Sequence, residues 1–208
     1  MEKKYEFTGE ITKAWNRELH RIRALRDLGD VKAGQLGGFV EDESNLSHEG
    51  LCWVGDNACV YAGGKVYGNA LVWDEAWVCG NAQVYDDATV EGSAKIVSGS
   101  WVYGNAVVRG NAVVSGGSCI FGGAVIDGAA AIDCGAEICS RASIKTRNDY
   151  TVICPVGSGK VTFFRNEDGN ILAYQHDAML RLKDYRILGC EEADAAGYAA
   201  KRMRGGRA

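Results

Sequence analysis

One aliphatic position recurs every six residues along the middle of the chain without a gap. Each member is Val or Ile, and from Ala58 to Ala142 the residue two positions earlier is Ala, Gly or Ser. β-Branched residues favour extended backbone, whereas small residues fit narrow corners. Because a helix needs a period near 3.6, a step of six predicts a short strand followed by a turn. The series is Val54, Val60, Val66, Val72, Val78, Val84, Val90, Ile96, Val102, Val108, Val114, Ile120, Ile126, Ile132, Ile138 and Ile144.

The segments between these aliphatic residues carry turn signals. Pairs such as Gly68-Asn69 tolerate the positive φ that a sharp corner requires. One such unit cannot bury its apolar face, but stacked coils can, so the sequence predicts an all-β solenoid. The series extends upstream through Val40 and Leu46. The step of eight from Leu46 to Val54 predicts a two-residue insertion around residues 47–50, and the whole series gives about six coils.

The period and residue types between Val54 and Ile144 resemble the hexapeptide-repeat family. Members of that family wind three hexapeptides into each triangular coil of a left-handed parallel β-helix. The resemblance therefore implies a left-handed parallel β-helix of about six triangular coils. One departure is visible: glycine often directly follows the aliphatic residue in the family, whereas here it usually comes one position later, as in Val66-Tyr67-Gly68.

Three domains follow from this reading. Residues 1–35 do not fit the repeat, and a solenoid end exposes strand edges and apolar core, so we expect them to form an N-terminal cap. Residues 36–147 form the predicted β-helix, and residues 148–208 a C-terminal hairpin and helix. The hairpin is predicted from Asp168-Gly169 between two apolar segments. The helix is predicted over Glu191–Met203, which is acidic at its start and basic near its end.

Composition narrows the possible settings. The net charge of −4 gives no reason to expect nucleic-acid binding, and no apolar run reaches the ~18–20 residues of a membrane span. The N-terminus is polar and lacks the apolar region of a secretory signal. None of the eight cysteines forms a CxxC pair. We therefore expect eight reduced thiols and a cytoplasmic location, in the host bacterial cytosol.

The segments flanking the repeats resemble a group of bacteriophage and prophage proteins that are often labelled transferases. The resemblance covers residues 19–165 and implies a phage or prophage origin, but it brings no defined activity. The shared segments are Leu19-His-Arg-Ile-Arg-Ala-Leu-Arg-Asp27, Gly29-Asp-Val-Lys-Ala-Gly34, Leu36-Gly-Gly38, Asn45-Leu-Ser47 and Thr162-Phe-Phe-Arg165.

A catalytic role depends on a general base. Many hexapeptide-repeat proteins are acyltransferases that use an acyl-CoA donor and a histidine base, because the acceptor must lose a proton during attack. His48 is the best candidate here, since it lies in the insertion with Glu49 beside it; the alternative is a solvated histidine in a polar corner. His20 and His176 are expected to face solvent and to lie in a loop, respectively. None of the three lies in the uninterrupted repeat, so neither a metal site nor a cofactor is predicted.

The outer surface shows a second pattern. Residues just before and after each aliphatic residue point outward, and on one face those after it are aromatic on four successive coils. The four aromatic side chains either stabilise neighbouring strands only or form an interface with a second copy, a foreign protein or a small ligand. The predicted binding residues are Tyr67, Tyr85, Tyr103, Phe121 and the adjacent Trp101. The other two faces carry Trp53 and Trp73, and Tyr61 and Trp77.

Three functions remain open from the sequence. The preferred hypothesis is a non-enzymatic phage or prophage protein that uses the solenoid as a binding surface, with inhibition of a host defence system as a natural role. The partners expected are further copies of the chain, a host protein or a small ligand. The first alternative is an acyltransferase with an acyl-CoA donor and His48 as its base. The second is a structural component of the virion.

Overall fold

The computed structural model describes residues 2–153, 160–175 and 178–180, and the repeat in it is a parallel β-solenoid of about six turns. Three strands precede the repeat, which contributes sixteen strands of two residues each, and four described strands follow it. Two short 3₁₀ turns cover Glu43–Asn45 and Arg147–Asp149. The strands are β1 (Tyr5–Ala14), β2 (Arg17–Ala24), β3 (Leu36–Val40), β4 (Trp53–Val54), β5 (Cys59–Val60), β6 (Lys65–Val66), β7 (Leu71–Val72), β8 (Trp77–Val78), β9 (Gln83–Val84), β10 (Thr89–Val90), β11 (Lys95–Ile96), β12 (Trp101–Val102), β13 (Val107–Val108), β14 (Val113–Val114), β15 (Cys119–Ile120), β16 (Val125–Ile126), β17 (Ala131–Ile132), β18 (Glu137–Ile138), β19 (Ser143–Ile144), β20 (Tyr150–Ile153), β21 (Val161–Arg165), β22 (Ile171–Gln175) and β23 (Ala178–Leu180).

Successive strands of the repeat lie on three different faces. Each strand pairs in parallel with the strand one coil later, so that Val84 lies beside Val102 and Val102 beside Ile120. We call the face with β6, β9, β12, β15 and β18 the aromatic face, and the face with β5, β8, β11, β14 and β17 the cap face. The third face carries β4, β7, β10, β13, β16 and β19. The hand of the winding stays a prediction from the family resemblance.

The core contains the residues that the period selects. Every aliphatic residue of the series from Val54 to Ile144 is buried, including Val84 and Val102, and the small residues two positions earlier are buried at the corners. The pairing of identical or similar side chains from coil to coil builds one continuous apolar column. The predicted register of the repeat is therefore confirmed.

The corners explain why glycine is displaced by one position. The second residue after the aliphatic residue adopts positive φ, at +69° for Gly68 and +66° for Gly104. A Cβ atom at Gly68 would lie 3.0 Å from the backbone nitrogen of Asp86 on the next coil, so glycine relieves both the dihedral and the contact. Non-glycine residues are tolerated at some corners, as at Asp86 with φ of +55°.

The predicted insertion lies where the period breaks. Leu46 bridges to Val66, twenty residues later, and Val40 pairs with Val60 across the same interval. Beyond the insertion the interval returns to eighteen, as for Val54 and Val72. Two additional residues are therefore accommodated in the first coil without loss of the inward register.

The N-terminal segment folds over the first coils as a sheet. Strands β1 and β2 form an antiparallel hairpin, β2 pairs with β3, and β3 continues in parallel into the cap face. The sequence left Leu19 and Ile22 open between strand and helix; both lie in β2 and are buried. Trp53 and Tyr61 occupy the outward positions that the repeat predicts, but they do not face solvent. Both are buried, because the cap packs over the positions that are exposed on later coils.

The C-terminal strands form a separate sheet against the last coils. Strands β20 to β23 are antiparallel in sequence order, and Asp168-Gly169 lies in the turn between β21 and β22, which confirms the hairpin. The amide of Glu137 donates to Thr162 Oγ1 at 2.9 Å, which ties this sheet to the aromatic face. The predicted helix over Glu191–Met203 lies outside the described residues. Among those described, no helix is long and apolar enough to span a membrane.

Candidate functional site

Four aromatic rings stack along the aromatic face, as the 18-residue spacing predicts. Tyr67, Tyr85, Tyr103 and Phe121 have centroid separations of 4.8, 4.9 and 5.0 Å and interplanar angles of 2°, 2° and 3°. We call these four residues the aromatic ladder. Its spacing follows directly from the distance between hydrogen-bonded strands, which sets one ring above the next.

The stacking determines which parts of the rings a partner can reach. Each inner ring has a stacked neighbour on both faces, so a partner can reach its edge but not its faces. Burial raises the pKa of the Tyr85 phenol to about 12, and it raises the pKa of Tyr67 as well. Tyr67 donates a hydrogen bond to Gln83 Oε1 at 3.0 Å. Tyr67 and Tyr85 therefore stay protonated at neutral pH, and the stacked rings present their edges rather than a flat aromatic platform.

Trp101 lies beside the ladder and is the most exposed ring of this face. It is 44% exposed, and its strand pairs with those of Gln83 on one side and Cys119 on the other. Lys65, two coils earlier on the same face, and Asp87, in the corner that follows Tyr85, are exposed. The aromatic face thus combines an apolar centre with a polar edge, which is the usual arrangement of a protein-binding surface.

One end of the ladder is covered by the C-terminal sheet. The ring of Tyr174, in β22, contacts Phe121 edge-on at a centroid distance of 5.4 Å. Phe121 therefore also joins the solenoid to this sheet. Among the described residues of the predicted site, Trp101 is the large side chain that stays 44% exposed.

His48 occupies a packed position in the insertion, and the alternative of a solvated histidine is wrong. Its side chain is 16% exposed, and its ring stacks on Tyr5 of the cap at 4.5 Å. The backbone amide of Lys4 donates to His48 Nδ1 at 3.3 Å, and Nε2 is buried, 3.9 Å from Glu43 Oε2. Burial lowers the pKa of the imidazole, with Glu43 opposing this shift. The neutral ring is thus held between the cap and the first coil.

The other predicted chemical groups are dispersed. His20 stacks on Phe7 at 5.1 Å in the cap hairpin, and His176 lies outside the described residues. The six described cysteines are free thiols, whereas Cys154 and Cys190 lie outside the described residues. Within the described part of the chain, no three His, Cys, Asp or Glu side chains are grouped as a metal ion would require.

Sequence reasoning missed a buried cluster at the insertion. Lys4 is completely buried, and its ammonium group donates to the carbonyl oxygen of Cys52 at 2.7 Å and to Cys52 Sγ at 3.0 Å. One signal was available: Cys52 lies two residues before Val54, at the position that is Ala, Gly or Ser in every later repeat. Nothing in the sequence indicated that Lys4, in a non-periodic segment, would reach it.

Comparison with known proteins adds two matches. A family model described as YdcK Beta solenoid repeat matches residues 82–99, which is a single coil of this solenoid. A curated relative, the uncharacterized acetyltransferase YdcK of Escherichia coli (strain K12), is 40% identical over 55 residues. The match covers 26% of this chain and 17% of the relative, so this chain accounts for well under two thirds of that protein's length.

Proposed function

We propose that this chain is a non-enzymatic binding protein that engages a partner protein through its aromatic face. The six-residue period, the solenoid and both matches support the hexapeptide-repeat superfamily. The observation that carries the proposal is the 44% exposed ring of Trp101 on the face that holds the stacked rings of the ladder. Large exposed aromatic side chains with few rotatable bonds are typical anchors of protein interfaces.

The chemistry of the face defines the kind of surface that it fits. Ring edges carry partial positive charge, so a complementary surface presents apolar side chains together with carbonyl or carboxylate oxygens. Lys65, exposed at the edge of the face, favours the same acidic or carbonyl-rich surface. The resemblance to phage and prophage proteins supports a host protein as this partner, and inhibition of a host defence system is the corresponding role.

The packing of His48 supports a binding role over a catalytic one. Nδ1 accepts the Lys4 amide hydrogen bond, and Nε2 is buried under the cap. A general base has to reach the proton that it removes, directly or through one water molecule. The ring meets that condition only if the cap opens.

The test uses two variants with different effects on the ladder. Trp101→Ser removes an exposed ring that takes no part in the stacking, whereas Tyr85→Ser/Tyr103→Ser removes the centre of the ladder. The double variant loses three stacked pairs, each worth roughly 0.2–1 kcal/mol, so the solenoid should remain folded. We expect both variants to weaken partner binding by about 30-fold or more, as hot-spot residues do.

Binding is measured by pull-down from host lysate, identification of the retained protein and titration of that protein, with light scattering to follow self-association. Val107→Ser/Val125→Ser is the matched control, because both residues are outward-facing and half-buried on the third face of neighbouring coils. Thermal unfolding of each variant establishes that it is folded. Unchanged binding and unchanged oligomeric state in both aromatic variants would restrict the ladder to intramolecular packing.

A second candidate function is acyl transfer, which is favoured by the name of the matched relative. That protein is called an acetyltransferase, and acyl transfer requires a general base, for which His48 is the candidate in this chain. Turnover of acetyl-CoA that is lost in His48→Ala and kept in His20→Ala would establish this function. Absence of turnover in the folded wild-type protein, across a panel of amine and hydroxyl acceptors, would leave the binding role as the better account.

A further inference from the structure

The side chain of Lys4 ends inside the protein at the break in the repeat. Its amine nitrogen lies 2.7 Å from the carbonyl oxygen of Cys52, 3.4 Å from that of Glu49 and 3.0 Å from Cys52 Sγ. These partners are carbonyl oxygens and a thiol rather than a carboxylate. Burial lowers the pKa of Lys4, because a buried ammonium group without a carboxylate partner is poorly stabilised.

Cys52 is buried in the same place. Its sulfur lies 3.6 Å from the carbonyl oxygens of Ser47 and Glu49 and 3.7 Å from that of Val66. Burial raises the pKa of the thiol, with Lys4 opposing this shift. Desolvation therefore shifts both groups toward their uncharged forms, and the lysine nitrogen, which is nucleophilic as the free amine, lies 3.0 Å from the thiol sulfur.

We propose that Lys4 and Cys52 form an oxidation site at which hydrogen peroxide joins the lysine nitrogen to the cysteine sulfur, and so locks the cap onto the first coil. In the first step the sulfur attacks one peroxide oxygen and the O–O bond breaks; the displaced hydroxide takes the thiol proton and leaves as one water, and the cysteine becomes a sulfenic acid. In the second step the amine attacks the sulfur, the N–S bond forms and the S–O bond breaks. The departing hydroxide takes a proton from the nitrogen and leaves as a second water.

The balance of the reaction is simple. One thiol, one amine and one hydrogen peroxide give one N–S link and two waters, with the sulfur oxidised and the peroxide reduced. Lys4 precedes β1 directly and follows the exposed residues Glu2 and Lys3. Local opening of this end of the chain admits peroxide, and reclosure returns the amine to the oxidised sulfur.

The link would have a structural consequence. It joins positions 48 residues apart and closes the chain between the cap and the insertion. A covalent closure of this size reduces the entropy of the unfolded chain. The oxidised protein should therefore unfold at a higher temperature than the reduced protein, and thiol reductant should reverse the shift.

The experiment treats the full chain with hydrogen peroxide and digests it at acidic pH without reductant. Mass spectrometry should find a peptide pair containing Lys4 and Cys52 that is lighter by two hydrogen atoms than the sum of its parts. Fragment ions distinguish Lys4 from Lys3, and Lys3→Met should still form the link. Cys134→Ser should also form it, because Cys134 is exposed and lies elsewhere on the solenoid.

Two variants remove the reacting groups, namely Lys4→Met and Cys52→Ser, and neither should yield the linked pair. The wild-type result is decisive even if these variants fold poorly. Oxidation of Cys134 while Cys52 stays a thiol would overturn the proposal, and so would oxidation of Cys52 to a sulfinic acid with Lys4 unmodified. A linked pair that keeps one additional oxygen atom would support the cross-link and overturn the displacement step.

Discussion

The uninterrupted coils and the first coil satisfy their backbone polar groups in different ways. In the uninterrupted coils the amides bond to carbonyl oxygens on the next coil, as Trp101 does to Ser118 at 2.9 Å and Tyr85 to Val102 at 3.0 Å. In the first coil, side chains supplement such backbone bonds, of which Ser47 to Val66 at 3.0 Å is one. Asn45 Nδ2 donates to the carbonyl oxygen of Gly64 at 2.8 Å, and the Tyr5 hydroxyl donates to that of Leu46 at 3.1 Å.

The difference explains where polar chemistry collects in this molecule. A coil that matches its neighbour needs only small and aliphatic residues inside, because the backbone completes its own hydrogen bonds. Two inserted residues remove that match locally, and buried carbonyl oxygens then require donors from elsewhere. Lys4 supplies one of these donors. Together with Cys52 and His48, which it contacts, it places an amine, a thiol and an imidazole close to one another at the insertion.

The largest loss of stability should come from a substitution inside the uninterrupted coils. Val102→Asp places a carboxylate among buried aliphatic side chains on three successive coils, with no partner for its charge. We expect a loss of roughly 5 kcal/mol or more of unfolding free energy, or failure to fold cooperatively. Urea unfolding followed by circular dichroism measures this.

Trp101→Asp is the matched control for this prediction. It introduces the same charge one residue earlier in β12, where the side chain is 44% exposed. The control should lose no more than about 1 kcal/mol of unfolding free energy. Equal stability of the two variants would contradict the inward register of the repeat.

The sequence predicted the regular part well, for a physical reason. Each repeat has nearly the same neighbours as the next, so one inward residue such as Val84 defines the environment of all the others. The stacking of the aromatic ladder followed from the same arithmetic. The position of glycine at the corners also has a local cause, the positive φ at sites such as Gly68.

The capped end could not be predicted in the same way. Trp53 occupies an outward position of the repeat, yet it is buried, because the cap packs on that coil. A Cβ atom at Gly37 would lie 2.6 Å from the Trp53 ring, so the packing of the cap on this coil requires glycine at position 37. Such contacts join the non-periodic cap to the periodic coils, so the six-residue period does not predict them. The positions of Lys4 and His48 depend on contacts of this kind and could not be predicted either.

A smaller effect should come from the insertion. Lys4→Met keeps the apolar part of the side chain but leaves the carbonyl oxygen of Cys52 without the donor that it has now. An unsatisfied buried acceptor costs about 1–3 kcal/mol, so we expect a loss in this range. Urea unfolding measures the global change, and hydrogen exchange at β1 amides shows whether the cap opens first.

Lys3→Met is the control for the insertion. Lys3 forms an exposed ion pair with Glu43 at 2.5 Å, and exposed pairs of this kind contribute about 0–1 kcal/mol. Lys4→Met should therefore lower the unfolding free energy clearly more than Lys3→Met does. A Lys4→Met variant as stable as Lys3→Met would mean that the carbonyl oxygens of the insertion find other donors.

The smallest effect is a pH dependence of the cap that originates at His48. The folded pKa of this histidine lies below its ordinary value of 6.5, because burial disfavours the charged ring. The unfolded chain therefore binds a proton more readily, and the stabilisation is present above about pH 6.5 and is lost as pH falls through the lower folded pKa. His48→Gln keeps an oxygen acceptor for the Lys4 amide but does not titrate, so its β1 amide exchange should vary less between about pH 7.5 and 5.5 than that of the wild type.

His20→Gln serves as the control and should retain the wild-type profile. If His48→Gln also retains it, another group controls the opening of the cap, and the stacked position of His48 on Tyr5 contributes packing alone.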